Sequence, residues 1–385
     1  VGHHDTTMGT DSGVKKALEL TLRNGMRVKL TPDHRVLTQR GWVRADQLDV
    51  ESDYVLRPRQ VTYRPSNFSL RDEEAKLLAY MATDGSSSET RARYCDGRKE
   101  TGSEFIESLR ALGFNATKDA PYAKGNAWEV SVSRYITGGF RDWLKGHNAC
   151  GVSCHDAEVP DAVCRAPKRQ VALFLNRVWA AEGTVAYKSG SPPRFQLAIV
   201  SEKFIKQVPL LLLRWGICTS VRNGTTTTAY CLQVSGKANL ELFIEHIGVV
   251  FSKEHETAKL EEAIKEKLGN TNVDVVPFSY KDGAEILKVN NVSRRRNSGD
   301  SLGWNRLCRS HSKFSRPMLK TFCEDFSDLP GVQALATAFP LSVAYERIKT
   351  LKEVKHPLGV ADIGVPGPKR FTANGIALHN STRWG

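Results

Sequence analysis

The sequence predicts a mixed architecture: an all-β module, carried by the two ends of the chain, interrupted by an α+β insert of two similar halves. Three observations predict it. Short stretches that alternate apolar and polar residues, broken by turn residues, occupy 13–48 and 343–380. The chain between Arg57 and Val343 is far too long for a loop. Within it, an apolar helical run ending in an acid and a glycine occurs twice, at Glu73–Gly85 and at Gln170–Gly183. At 385 residues the chain also exceeds what one hydrophobic core serves, which requires more than one domain.

The first part of the β module spans 1–58. Gly13–Leu22 and Met26–Leu30 flank Asn24-Gly25, the strongest short hairpin signal. Thr31-Pro-Asp-His34-Arg-Val-Leu-Thr38 follows, then Gly41-Trp42-Val43 and Leu48. Pro58–Ser69 is proline-rich and polar, as a domain boundary should be. The insert covers 70–250, in halves at about 70–147 and 160–250. The repeat extends past the two helices, since Ser108–Ala116 around Gly113 recurs as Leu212–Ser220 around Gly216. Strands such as Trp128–Val132 and Phe195–Val200 complete a helix–strands–helix–strands–helix plan in each half, αββαββα. Residues 251–335 read as an accessory helical and basic region, and 336–380 as the closing strands of the β module, with 381–385 beyond it.

Lys and Arg number 55 against 42 Asp and Glu, giving a net charge of +13 that suits a polyanionic partner such as nucleic acid. A solvated basic surface fits equally well. No apolar run approaches the ~20 residues needed to cross a bilayer, and Val1-Gly-His-His-Asp-Thr has no signal-peptide pattern. A cytoplasmic protein, bacterial or phage-encoded, is expected. The eight cysteines form no CxxC pair, and Cys150-x-x-x-Cys154-His155 lacks a second half at zinc-finger spacing; reduced thiols are expected.

The densest chemistry lies at Phe371-Thr-Ala-Asn-Gly-Ile-Ala-Leu-His379-Asn380-Ser381. An asparagine amide can attack its own main-chain carbonyl, closing a succinimide and breaking the peptide bond that follows; intramolecular attack gains from proximity. His379 is placed to donate a proton to that carbonyl, and Ser381 supplies a hydroxyl. The segment resembles the C-terminal splice junction of inteins. Thr31 and His34, with the trailing Leu-Thr and Gly-Trp, resemble the T-x-x-H block of the same HINT, or horseshoe-like, autoprocessing domains. The resemblance implies that Thr31 and His34 polarise an N-terminal scissile peptide, that Asp362 assists, and that Asn380 cyclises after acyl transfer to Ser381. Lys369 stands where many inteins carry a histidine. The T-x-x-H block follows fewer residues than in an intein that opens on Cys, Ser or Ala. A separate N-terminal intein fragment is therefore expected, besides the host-protein exteins.

The duplicated helices resemble the two-repeat LAGLIDADG homing endonucleases that inteins carry. That resemblance implies a monomeric endonuclease in which Asp84 and Glu182 meet at the helix ends, hold Mg²⁺ and cut a double-stranded DNA site. Two sheets would lie in the major groove. Lys188 and Lys168 lie near the second acid. Arg294, Arg295, Arg296, Arg309 and Lys313, with Trp304 and Phe314 among them, suit phosphate contacts outside the sheets. The rival expectation is a free-standing DNA endonuclease or DNA-binding protein whose splicing scaffold no longer functions.

Overall fold

The computed structural model describes residues 8–62, 68–88, 91–118, 120–132, 139–187, 192–224, 228–266, 274–292, 313–365 and 369–380. The chain forms two compact units, Val1–Gln60 with Gly269–Gly385, and Val61–Leu268. Their division falls inside the 251–335 stretch.

The first unit begins with β1 (Met8–Lys15), β2 (Leu18–Leu22), β3 (Arg27–Leu30), β4 (Arg35–Thr38), β5 (Gly41–Arg44) and β6 (Tyr54–Pro58). Asn24-Gly25 makes the β2–β3 turn: Gly25 takes φ of 90°, and Asn24 Oδ1 accepts the Met26 N–H at 3.0 Å. The left-handed glycine closes a three-residue loop without a Cβ penalty. Alternation then sends Leu20, Leu22, Val28 and Leu30 into one core and leaves Lys29 exposed.

The second unit repeats one plan. α1 (Asp72–Thr83) leads into β7 (Gly85–Ser87), β8 (Ala92–Asp96), α2 (Lys99–Ala111), β9 (Tyr122–Lys124), β10 (Ala127–Ser131) and α3 (Phe140–Gly146). After the short α4 (Asp161–Arg165) come α5 (Lys168–Glu182), β11 (Gly183–Ala186), β12 (Arg194–Ile199), α6 (Glu202–Leu212), β13 (Thr219–Asn223), β14 (Tyr230–Ser235) and α7 (Lys237–His246). Each half makes a four-stranded antiparallel sheet of the same order, β7-β8-β10-β9 and β11-β12-β14-β13. α1 packs against α5, and Ala75, Leu78 and Ala79 share a core with Val171, Leu175 and Val178. Each buried Val or Leu contributes about 1.5–3 kcal/mol. Small residues on both helices permit the close approach.

A buried polar cluster fixes that helix pair. Arg177 of α5 forks onto Glu104 of α2 at 2.6 Å through both Nε and Nη2, while Tyr80 Oη of α1 donates to Glu104 at 2.5 Å and Lys76 Nζ lies 3.0 Å away. Burial pushes the Glu104 carboxyl up, but Arg177, Tyr80 and Lys76 outweigh it and hold it at about 2.

α8 (Glu254–Glu266) closes the second unit. The first unit resumes with β15 (Val275–Ser279), α9 (Tyr280–Val289), β16 (Lys313–Ser315), α10 (Arg316–Asp325) and α11 (Val332–Ala338). These enclose a separate aromatic core of Phe278, Tyr280, Phe314 and Phe322. Phe314 is therefore a core residue, not the exposed aromatic expected from its basic neighbours: it alternates with Lys313 on β16 and points inward. Last come β17 (Val343–Glu353), β18 (Leu358–Gly364), β19 (Arg370–Ala373) and β20 (Ile376–His379). β17 pairs with β6 through Val343–Arg347 and, past an irregularity between Ile348 and Thr350, with β2. Strands from both ends of the sequence thus interleave in one eight-stranded antiparallel sheet, β19-β20-β4-β6-β17-β2-β3 with β5 beside β4. β18 pairs with β1 instead. No helix among the described residues is long and apolar enough to cross a membrane.

Candidate active sites

β20 ends at His379 and delivers Asn380 to a cleft of about 300 Å³ that Thr31, His34, Asp362 and Phe371 also line. Residues from both ends of the sequence supply it. Thr31 and His34 face it from the β3–β4 turn, which the His34 N–H closes on the Thr31 carbonyl at 3.0 Å. The Thr31 hydroxyl bonds Asp33 and holds that carboxyl below its usual range. Burial pushes the His34 imidazole down, His379 adds to this, and Asp33 and Asp362 oppose it. His34 Nε2 is buried with no hydrogen-bond partner among the described residues. Asp362 accepts the Ser12 hydroxyl at 2.5 Å, where β18 runs beside β1.

Asn380 is held on three sides. Its N–H donates to the Lys369 carbonyl at 2.9 Å, and Nδ2 donates to the Val365 carbonyl at 2.9 Å. His379 Nδ1 lies 2.8 Å from the Asn380 carbonyl oxygen, its ring edge-on to Trp42 at 5.1 Å between centroids. Asn380 Oδ1 is buried with no partner among the described residues. With the proton on Nδ1, His379 polarises the very carbonyl that an Asn380 side-chain attack would need. Ser381 lies outside the described residues.

The second site sits where α1 and α5 end. Asp84 follows α1 and Glu182 is the last residue of α5; each is followed by a glycine that opens a strand. Those glycines are dictated by close approach, not by a left-handed turn. A Cβ on Gly85 would fall 2.4 Å from the Met81 backbone, and one on Gly183 would fall 2.4 Å from the Trp179 ring. The Asp84 and Glu182 side chains share a hydrogen bond. Burial first, then Glu182 and Asp96, push Asp84 up to about 8. Crowding by a second acid in a buried site thus disfavours the charged form of Asp84.

Two cations close this site, and neither is marked by the repeat pattern. Arg98 forks onto Asp96 at 3.0 and 2.9 Å and donates to the Ala181 carbonyl at 2.6 Å. Lys253 Nζ donates to the Trp179 and Ala180 carbonyls at 2.8 and 2.7 Å. Together they satisfy the Ala180 and Ala181 carbonyls of the last turn of α5 and add a second bond to the Trp179 carbonyl, which already accepts the Gly183 N–H. Burial, then Arg98, pushes Lys253 down to about 8. Arg98 follows an acid at a strand end, a weak signal. Lys253 lies beyond both repeats and gives none. Lys168 sits over the Trp215 ring at 5.5 Å, and Lys313 over Tyr54 at 6.0 Å. Lys188, Arg294, Arg295, Arg296 and Arg309 lie outside the described residues. Among the described residues, which include Cys150, Cys154, His155 and Cys164, no group of three or more His, Cys, Asp or Glu could hold a metal ion.

A family model, the intein splicing domain, matches residues 6–380. The chain belongs to the intein family. It is similar to the replicative DNA helicase DnaB of Rhodothermus marinus, 27% identical over 392 residues, a match covering 96% of this chain and 40% of that protein. It is similar too to DnaB of Synechocystis sp., 26% identical over 395 residues, covering 96% of this chain and 44% of that one. The intein chain thus spans less than half the length of these curated relatives. Solved structures similar to it include I-DmoI in complex with DNA and Mn, at 12% identity and a TM-score of 0.35, covering 46% of this chain and 96% of that one. The N-terminal LAGLIDADG domain of DUF199/WhiA matches at 11% identity and a TM-score of 0.34, covering 49% and 89%.

Proposed function

We propose that this intein transfers its N-terminal extein to Ser381, frees itself by cyclisation of Asn380, and carries in its insert a site-specific double-strand DNA endonuclease. The contact of 2.8 Å from His379 Nδ1 to the Asn380 carbonyl oxygen carries the splicing part. Asn380 Nδ2 attacks its own carbonyl carbon, the bond to the Ser381 nitrogen breaks, and the departing amine takes a proton relayed by His379. The freed Ser381 amine then captures the acyl group from its own oxygen, which restores a peptide. Thr31 and His34, whose Nε2 has no partner among the described residues, serve the upstream scissile peptide. Among the described residues lining the cleft, Thr31 carries the only hydroxyl and none carries a thiol. With Thr31 committed to Asp33, the first nucleophile comes from outside this described lining, and a separate N-terminal intein piece would supply it.

For the insert, the supporting observation is the acid pair at the paired helix ends, with Asp84 raised by burial and then by Glu182. Two crowded carboxylates fit Mg²⁺, a hard cation that takes few protein ligands and fills its shell with water and phosphate oxygens. When bound it would acidify water and neutralise phosphoryl charge. Asp84 and Glu182 would hold it, while Arg98 and Lys253 would supply positive charge beside them. Both halves lie in one chain, so a monomer suffices for an asymmetric target.

Intact mass after adding a synthetic N-terminal intein piece fused to a reporter, with the C-extein lengthened, tests the splicing reading. Reporter joined at Ser381, with intein ending in an Asn380 succinimide, is expected. Loss of the Ser381 tail without joining would leave only C-terminal cleavage, and unchanged mass would overturn the reading.

A further inference from the structure

β1 lies against β18 with one residue too many. Met8 pairs with Gly364 and the register runs evenly to Asp11 opposite Ala361; it resumes at Val14 opposite Gly359. Ser12 and Gly13 therefore stand together opposite Val360. Such a bulge bends a strand and re-aims its side chains. Gly13 takes φ of 75°, in the left-handed region that favours glycine, and its N–H is tied to Asp11 Oδ1 at 2.9 Å. Between them the half-buried Ser12 donates from Oγ to Asp362 Oδ2 at 2.5 Å. Asp362 lines the splice cleft with His34 and Asn380, and its charge opposes the burial that pushes the His34 imidazole down. Ser12 is not among the described residues that line the cleft, so its influence there runs through Asp362.

Resting on the splicing reading above, we propose that Ser12 is a positioning residue for the upstream cleavage: its hydroxyl fixes the Asp362 carboxylate beside His34. β1 and β18 form a sheet of only two strands. So small a ribbon is marginal by itself, and the orientation of Asp362 needs a bond beyond the ladder. A hydroxyl donor on one carboxylate oxygen supplies it, and bonds to ionised acceptors are among the stronger ones. Three charged or titratable groups act on His34: Asp33 from its own turn, Asp362 from β18 and His379 from β20. Asp33 is bonded by Thr31, and His379 lies against the Asn380 carbonyl, so of the three Asp362 is the one that depends on Ser12. The bulge thus ties the first strand of the chain to the histidine of the T-x-x-H block.

A double-substitution cycle on the full-length chain tests this, read by NMR titration of histidine-labelled protein. The His34 ring signal is identified by its loss in His34→Gln. Ser12→Ala should lower the His34 midpoint, because a released Asp362 spends less time beside the imidazole. Asp362→Asn should lower it at least as far, and Ser12→Ala added to Asp362→Asn should change nothing more. Ser12→Thr keeps the hydroxyl and should restore the midpoint. With a synthetic N-terminal intein piece added, Ser12→Ala should slow upstream cleavage about 10-fold, as loss of one hydrogen bond to a charged group does. Shifts that simply add in the double variant would overturn the proposal, since Ser12 would then act otherwise than through Asp362. So would an unchanged midpoint, or an unchanged cleavage rate, in Ser12→Ala. Absence of upstream cleavage in every variant and in the unsubstituted chain would overturn the splicing reading, and the proposal with it, whatever the titrations show.

Discussion

The two candidate sites are incomplete in opposite ways. In the splice cleft, neutral polar atoms lack partners: His34 Nε2 and Asn380 Oδ1 are buried and unbonded among the described residues. At the helix ends, acids are crowded: burial first, then Glu182 and Asp96, push the Asp84 carboxyl up. An unpaired neutral donor or acceptor is satisfied by a peptide, and crowded carboxylates by a cation.

The largest expected effects separate the sites outright. Asn380→Ala removes the attacking amide, so C-terminal cleavage should vanish while joined, branched intermediate persists by mass; DNA cleavage should be unchanged. Asp84→Asn or Glu182→Gln should do the converse, lowering DNA cleavage at least about 100-fold, as loss of electrostatic stabilisation does, with splicing intact. Any cross-effect would break the comparison. His379→Ala should slow C-terminal cleavage about 100-fold or more without abolishing it, because a lost acid–base partner leaves the nucleophile in place.

A smaller effect tests rigidity near the acids. Arg177→Met leaves Glu104, whose side chain is only 13% exposed, with Lys76 and Tyr80 alone and should destabilise the second unit by about 1.5–3 kcal/mol. Adding Glu104→Leu should recover part of this in a denaturant titration, since an apolar pair replaces a carboxylate that has lost its bidentate partner. If the double substitution is no more stable than the single, the cluster is not what holds the helix pair.

Much of this could be read from residue order, and the failures have physical causes. Thr31, His34, Asp362 and Asn380 are each marked by motif, and the structure brings them to one cleft. The duplicated helices show as acid–glycine repeats, although the reason for each glycine, a backbone or ring 2.4 Å from its missing Cβ, does not show. β1 carries no alternation in Met-Gly-Thr-Asp-Ser-Gly-Val-Lys; its strand form comes from pairing with β18. Lys253 looks like any surface lysine until tertiary packing aims it at the α5 carbonyls. Phe314 shows the reverse error, since basic neighbours in sequence disguised a core ring.

The smallest effect is also the sharpest test of opposed needs, because the two sites should titrate in opposite directions. Asp84 is raised from 3.8 to about 8, so the folded form keeps a proton that the unfolded chain has lost. Its contribution is fully present below 3.8 and declines as pH rises to about 8. His34 is lowered from 6.5, so the unfolded chain takes up a proton first, and its contribution is lost as pH falls below 6.5. Melting without divalent cations, followed between pH 5 and 8, should therefore show one component weakening toward alkali and another toward acid. Asp84→Asn should flatten the first alone and His34→Gln the second. Mg²⁺ should raise the first component most near pH 8, where the proton it replaces has already left. A magnesium effect that is the same at pH 5 and 8 would mean that the cation binds elsewhere than on Asp84.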